Sequence, residues 1–132
     1  MKSKFLLFLL TNIILMATAS SAQAQSKPET KKVLRHVVMF KFTDSATPEN
    51  VKKVETSFIA LAGKIKLIKD FEWGKNSSPE NLNQGLTHCF LVTFSSDKDR
   101  DAYLIHPEHK AFVDVLMPYL DKATVLDYWT EK

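Results

Sequence analysis

Residues 33–42 (VLRHVVMFKF) are rich in β-branched and aromatic side chains and set the first strand. One face carries Leu34, His36, Val38, Phe40 and Phe42; the other carries Val33, Arg35, Val37, Met39 and Lys41. Both faces are substantially apolar, so the second face is expected to meet something too, another subunit included. Thr47-Pro48-Glu49-Asn50 then reads as a helix start, with a Thr cap, Pro at the first helical position and an acid in the first turn. Val51, Val54, Phe58, Leu61, Ala62 and Ile65 follow at helical spacing. A second strand is predicted over residues 68–74, a polar loop over 75–85 and a third strand over 86–94. His88, Phe90, Val92 and Phe94 share one face of that strand.

Ser95-Ser96-Asp97 predicts the cap of a short helix reaching Ile105, and Pro107 opens the next one, because proline fits a first turn but not a helix interior. Ala111, Phe112, Val115, Leu116, Tyr119 and Leu120 form its apolar stripe, and Pro118 ends or kinks it. Residues 124–129 make the last strand. The order β-α-β-β-α-β is the α+β, ferredoxin-like split motif: a four-stranded antiparallel sheet with helices on one face. An apolar bare face is a liability for a monomer, and pairing two such faces predicts a homodimer.

The chain's first 24 residues stand apart. Lys2 and Lys4 precede an apolar run over residues 5–17, and Ala22-Gln23-Ala24 gives a small-x-small cleavage pattern. They read as a signal peptide, followed by a disordered polar leader over 25–32 and one domain over 33–132. The expected mature protein is exported, periplasmic or secreted, and free of the membrane after cleavage. Lys2 and Lys4 leave with the signal, so the 18 basic and 15 acidic side chains come close to balance in the remainder. That balance gives no electrostatic reason to expect nucleic acid. Cys89, the single cysteine, excludes an intrachain disulfide and is either buried or paired across a subunit interface.

Candidate chemistry gathers in Tyr103-Leu104-Ile105-His106-Pro107-Glu108-His109, where a phenol and two imidazoles flank one proline. Tyr103 and His109 are the candidate acid–base pair: a histidine poised near neutral pH and a phenol donor suit proton removal beside a carbonyl. The blander reading packs Tyr103 on the apolar stripe and ties His109 to the helix end. His106 reads as a boundary residue before Pro107. With His109 it forms an i,i+3 pair lacking a third ligand, so neither a metal nor a cofactor is expected. The charged run over 98–101 (KDRD) reads as a solvated helix face. His36 and His88 lie on helix-facing strand positions beside phenylalanines, although their places near two antiparallel strand starts set them toward opposite ends unless the register is offset.

Arg35-His36-Val37-Val38-Met39-Phe40-Lys41-Phe42, Trp73-Gly74, Thr87-His88 and Tyr103-x-x-His106-Pro107-x-His109, in this order, resemble the stress-responsive α/β-barrel (Dabb) family. The resemblance covers residues 33–130. It implies a ferredoxin-like unit pairing as a dimeric α+β barrel. By likeness to a ring-closing cyclase of that family, it implies that Tyr103 and His109 carry acid–base work while His36 and His88 line the cavity. Phe40, Phe90 and Trp73 join them as candidate ligand contacts. The expected ligand is a small, mostly apolar molecule bearing carbonyl or hydroxyl groups, held between sheet and helices. A cofactor-independent cyclase or lyase, a binding module without turnover, and a structural or stress-associated homodimer without ligand all remain readings of the same residues.

Overall fold

A computed structural model describes residues 31–131. The expected signal peptide and residues 25–30 of the leader lie outside the described residues. Strand β1 (Leu34–Phe42) is followed by α1 (Pro48–Lys64), β2 (Asp70–Lys75), β3 (His88–Phe94), α2 (Asp97–Leu104), α3 (Pro107–Leu116) and β4 (Leu120–Trp129). The sheet runs β2-β3-β1-β4, and each adjacent pair is antiparallel. This is the ferredoxin-like α+β architecture, with α1 and α3 packed beside each other over one face.

Local chemistry sets the boundaries. Thr47 Oγ1 accepts from the Asn50 backbone N–H at 3.2 Å while Asn50 Oδ1 accepts from the Thr47 N–H at 3.0 Å, closing a reciprocal cap on α1. Ser96 caps α2 by accepting from Asp99 N–H at 3.1 Å. Pro118 ends α3 in a short 3-10 turn over Met117–Tyr119, and β4 then starts at Leu120, four residues earlier than the apolar pattern indicates. The polar residues Asp121 and Lys122 hid that start; Asp121 is held by an ion pair to Lys41. The second and third strands begin later than expected, at Asp70 and His88, because Ile68 and Leu86 belong to the turns leading into them.

The core lies between the sheet and α1 and α3. Phe58 of α1 is its centre, with ring centroids 4.3 Å from Phe112 and 4.4 Å from Phe90. Val54, Leu61 and Ile65 extend the same helical stripe and are buried. The opposite sheet face is bare: Val37, Met39 and Leu91 are half-buried, Leu126 and Tyr128 exposed, and Cys89 is a free thiol among them. Among the described residues, no helix is long and apolar enough to cross a membrane.

Candidate functional site

The corner between α2 and α3 builds the site. A helix that stops leaves its last carbonyls without intrahelical partners, and Pro107 has no N–H to offer them. His109, in the first turn of α3, donates Nδ1–H to the Leu104 carbonyl at 3.1 Å. A carbonyl only accepts, so this bond fixes the neutral tautomer and leaves Nε2 with its lone pair. The bond also brings the His109 ring to 4.4 Å from Tyr103, between centroids. His106 takes the structural part expected of it: its side chain caps α3 by accepting from Glu108 N–H at 3.1 Å.

Tyr103 is wholly buried, yet its hydroxyl has no hydrogen-bond partner among the described residues. It lines a cavity of about 520 Å³ between the sheet and the α2–α3 corner, together with His36, Phe40, Phe58 and His109. Burial pushes the Tyr103 phenol well above its usual range, so at neutral pH it is a hydrogen-bond donor and not a phenolate. Burial pulls His109 below its usual value of 6.5; the bond to Leu104 opposes that shift, and nearby His36 and His106 add to it. The imidazole is therefore neutral at pH 7 and able to accept a proton.

The cavity separates the strand residues into two groups. His36, on β1, donates Nδ1–H to Asp127 at 2.6 Å, and its ring centroid is 5.9 Å from that of Tyr103. His88 stands elsewhere. The register sets it opposite Phe40, four residues along β1 from His36, which is roughly 13 Å at strand rise. The expectation that both histidines line one cavity is corrected by this register. Phe90 and Trp73 also lie outside the cavity wall: Phe90 is sealed beneath Phe58, and Trp73 stacks on it from β2 at 5.6 Å. Phe40 remains on the wall.

His88 instead donates Nε2–H to the buried Glu55 carboxylate at 3.0 Å, and Thr87 Oγ1 is 2.8 Å from its Nδ1. Lys75 approaches the same Glu55 oxygen at 3.0 Å. Burial raises the Glu55 pKa, but the bonds from Lys75 and His88 outweigh it and hold the carboxyl below its usual 4.5. Two polar residues escaped the sequence reading, and a third was placed wrongly by it. Glu55 sits on the apolar stripe of α1, one helical turn from Phe58, where a carboxylate is a signal in itself. Asp127 shares the inward face of β4 with Ala123 and Val125. Arg100, read as a solvated charge, instead turns inward to bond Asp127 and lines the cavity, which corrects that expectation.

Two outcomes follow from these environments. A buried hydroxyl without a partner costs free energy, so Tyr103→Phe is expected to raise stability to urea by about 1 kcal/mol; a loss of stability would show that the hydroxyl is already satisfied. Glu55 has a depressed pKa in the folded state. Its contribution is complete above pH 4.5 and lost as pH falls through the folded value. Glu55→Gln should cost about 1–3 kcal/mol at pH 7 and flatten the loss of stability in acid, as read by urea unfolding across pH. An unchanged acid slope would contradict the assignment.

Comparison with known proteins agrees with this architecture. The family model described as Stress responsive A/B Barrel Domain matches residues 34–130. Stress-response A/B barrel domain-containing protein HS1 of Arabidopsis thaliana is 38% identical over 100 residues, covering 76% of this chain and 92% of that protein. Olivetolic acid cyclase of Cannabis sativa is 32% identical over 99 residues, covering 75% of this chain and 98% of the cyclase. A dimeric ferredoxin-like protein of unknown function from Bacteroides fragilis superimposes with a TM-score of 0.62 at 28% identity, over 74% of this chain and 96% of its own. The chain belongs to the stress-responsive A/B barrel (Dabb) domain family.

Proposed function

We propose that this protein is an exported homodimer that binds a small, mostly apolar molecule bearing carbonyl or hydroxyl groups in the cavity, with Tyr103 and His109 as an acid–base pair. The observation that carries the reading is the buried Tyr103 hydroxyl, without a partner among the described residues and beside a neutral imidazole whose free nitrogen is Nε2. Phe40, Phe58 and Phe112 supply an apolar floor. The hydroxyl is closed off in the unliganded chain, so a carbonyl oxygen would satisfy it once the side chains covering it give way. His109 Nε2 would take a proton from the carbon beside that carbonyl. The C–H electrons then form a carbon–carbon double bond, and the carbonyl electrons move onto the oxygen that Tyr103 O–H steadies. The resulting enolate either recovers a proton or attacks a second electrophile. The likeness to a cyclase supports turnover over binding alone.

The exported state is supported by the basic, apolar and small-residue succession of residues 1–24. The homodimer is supported by the bare apolar face around Leu126 and by the dimeric state of the Bacteroides fragilis protein.

Deuterium exchange at C3 of heptane-2,4-dione, followed by NMR, tests the chemistry. Wild-type protein should accelerate exchange over buffer, and Tyr103→Phe and His109→Ala should each remove about 10²-fold of that acceleration. Binding without acceleration would make the protein a carrier, and neither would leave a structural dimer. For the assembly, sedimentation should give twice the chain mass for wild type and a monomer for Leu126→Lys; a monomeric wild type would remove the dimer.

A further inference from the structure

The cavity's polar end holds a second imidazole whose partner belongs to another strand. Asp127 lies directly opposite His36 in the β1–β4 register. Its Oδ1 takes His36 Nδ1 at 2.6 Å, and its Oδ2 takes the Arg100 guanidinium at 2.5 Å. Each carboxylate oxygen thus has its own partner, and the group cannot turn without losing one. Arg100 is itself tethered, with Nε 2.8 Å from Asp101 and another nitrogen 3.6 Å from Asp97. His36, Arg100 and Asp127 all line the cavity.

We propose that Asp127 is a positioning residue: it holds His36 as the Nδ1–H tautomer, so that Nε2 is a second proton acceptor at the cavity, and Arg100 holds Asp127 in place. A carboxylate can only accept, so His36 Nδ1 must carry the proton. In the neutral ring Nε2 is then the free lone pair. When Nε2 takes a proton from a ligand hydroxyl or enol, the imidazolium formed faces the Asp127 carboxylate, which stabilises it without itself being protonated. The Tyr103 phenol stands with His109 at 4.4 Å and His36 at 5.9 Å between centroids, and both imidazoles have Nδ1 committed to an acceptor. With both rings neutral, the site offers one donor and two acceptors. A purely structural role, tying β4 to the sheet, explains less, because backbone pairing already joins β1 and β4 along all of Leu34–Phe42.

The part His36 plays in turnover rests on the acid–base reading above; its tautomer does not. Asp127→Asn keeps the shape and separates the two. The amide oxygen can still accept from Arg100, while the amide N–H donates to His36 Nδ1 and forces the proton onto Nε2. Ring ¹⁵N spectra of histidine-labelled protein should place the His36 proton on Nδ1 in wild type and on Nε2 in the variant. Exchange of heptane-2,4-dione should fall at least about tenfold in the variant. A His36 that keeps Nδ1–H in Asp127→Asn overturns the proposal, as does a tautomer that flips while exchange is unchanged. If wild type binds the diketone without exchanging it, the acid–base reading falls alone. Positioning is then supported by a flipped tautomer with weakened binding and overturned by a flipped tautomer with unchanged binding. If wild type does not bind the diketone, the tautomer decides: a flip upholds positioning and its absence removes it.

Discussion

One hydrogen bond, from His109 to the carbonyl of Leu104, fixes the geometry of the cavity's working end. Pro107 forces α2 to stop and α3 to start afresh, and the stop leaves a carbonyl that needs a donor. By supplying it, His109 closes the corner, selects its own tautomer and lies against Tyr103. The buried phenol is then left without a partner among the described residues. Native interiors seldom tolerate such a group, and where they do, a ligand is a natural account of the cost.

The two ends of the sheet show how the same residue type acquires different work. His36 and His88 both face the helices from otherwise apolar strands. His36 meets Asp127 across a strand pair and stays on the cavity wall. His88 meets Glu55 from α1, with Lys75 sharing the carboxylate, and its ring nitrogens are both engaged. The phenylalanine stack centred on Phe58 separates these ends: it floors the cavity on one side and leaves the Glu55 cluster as an internal brace on the other.

Element types and order were legible because each helix carries its own local start signal and each strand its apolar run. Thr47 and Ser96 cap helices as their residue types favour, and His106, a boundary residue by its place before Pro107, caps α3 through its ring nitrogen. The early start of β4 was not legible, since Asp121 and Lys122 look like loop until Lys41 is placed opposite. At the site, Tyr103, His106 and His109 are close in sequence, and one proline suffices to relate them. The roles of Asp127, Arg100 and Glu55 were invisible for the converse reason: each gains its meaning from a partner on another element. Pairing His36 with Asp127 requires the β1–β4 register, which alternation along either strand alone does not give.

The most direct test of the central claim is a crystal structure of the protein grown with heptane-2,4-dione. The account predicts the diketone in the cavity, with an oxygen about 2.7 Å from the Tyr103 hydroxyl and C3 toward His109 Nε2. A hydroxyl bonded to the protein's own chain, with phenylalanines filling the space, would contradict it.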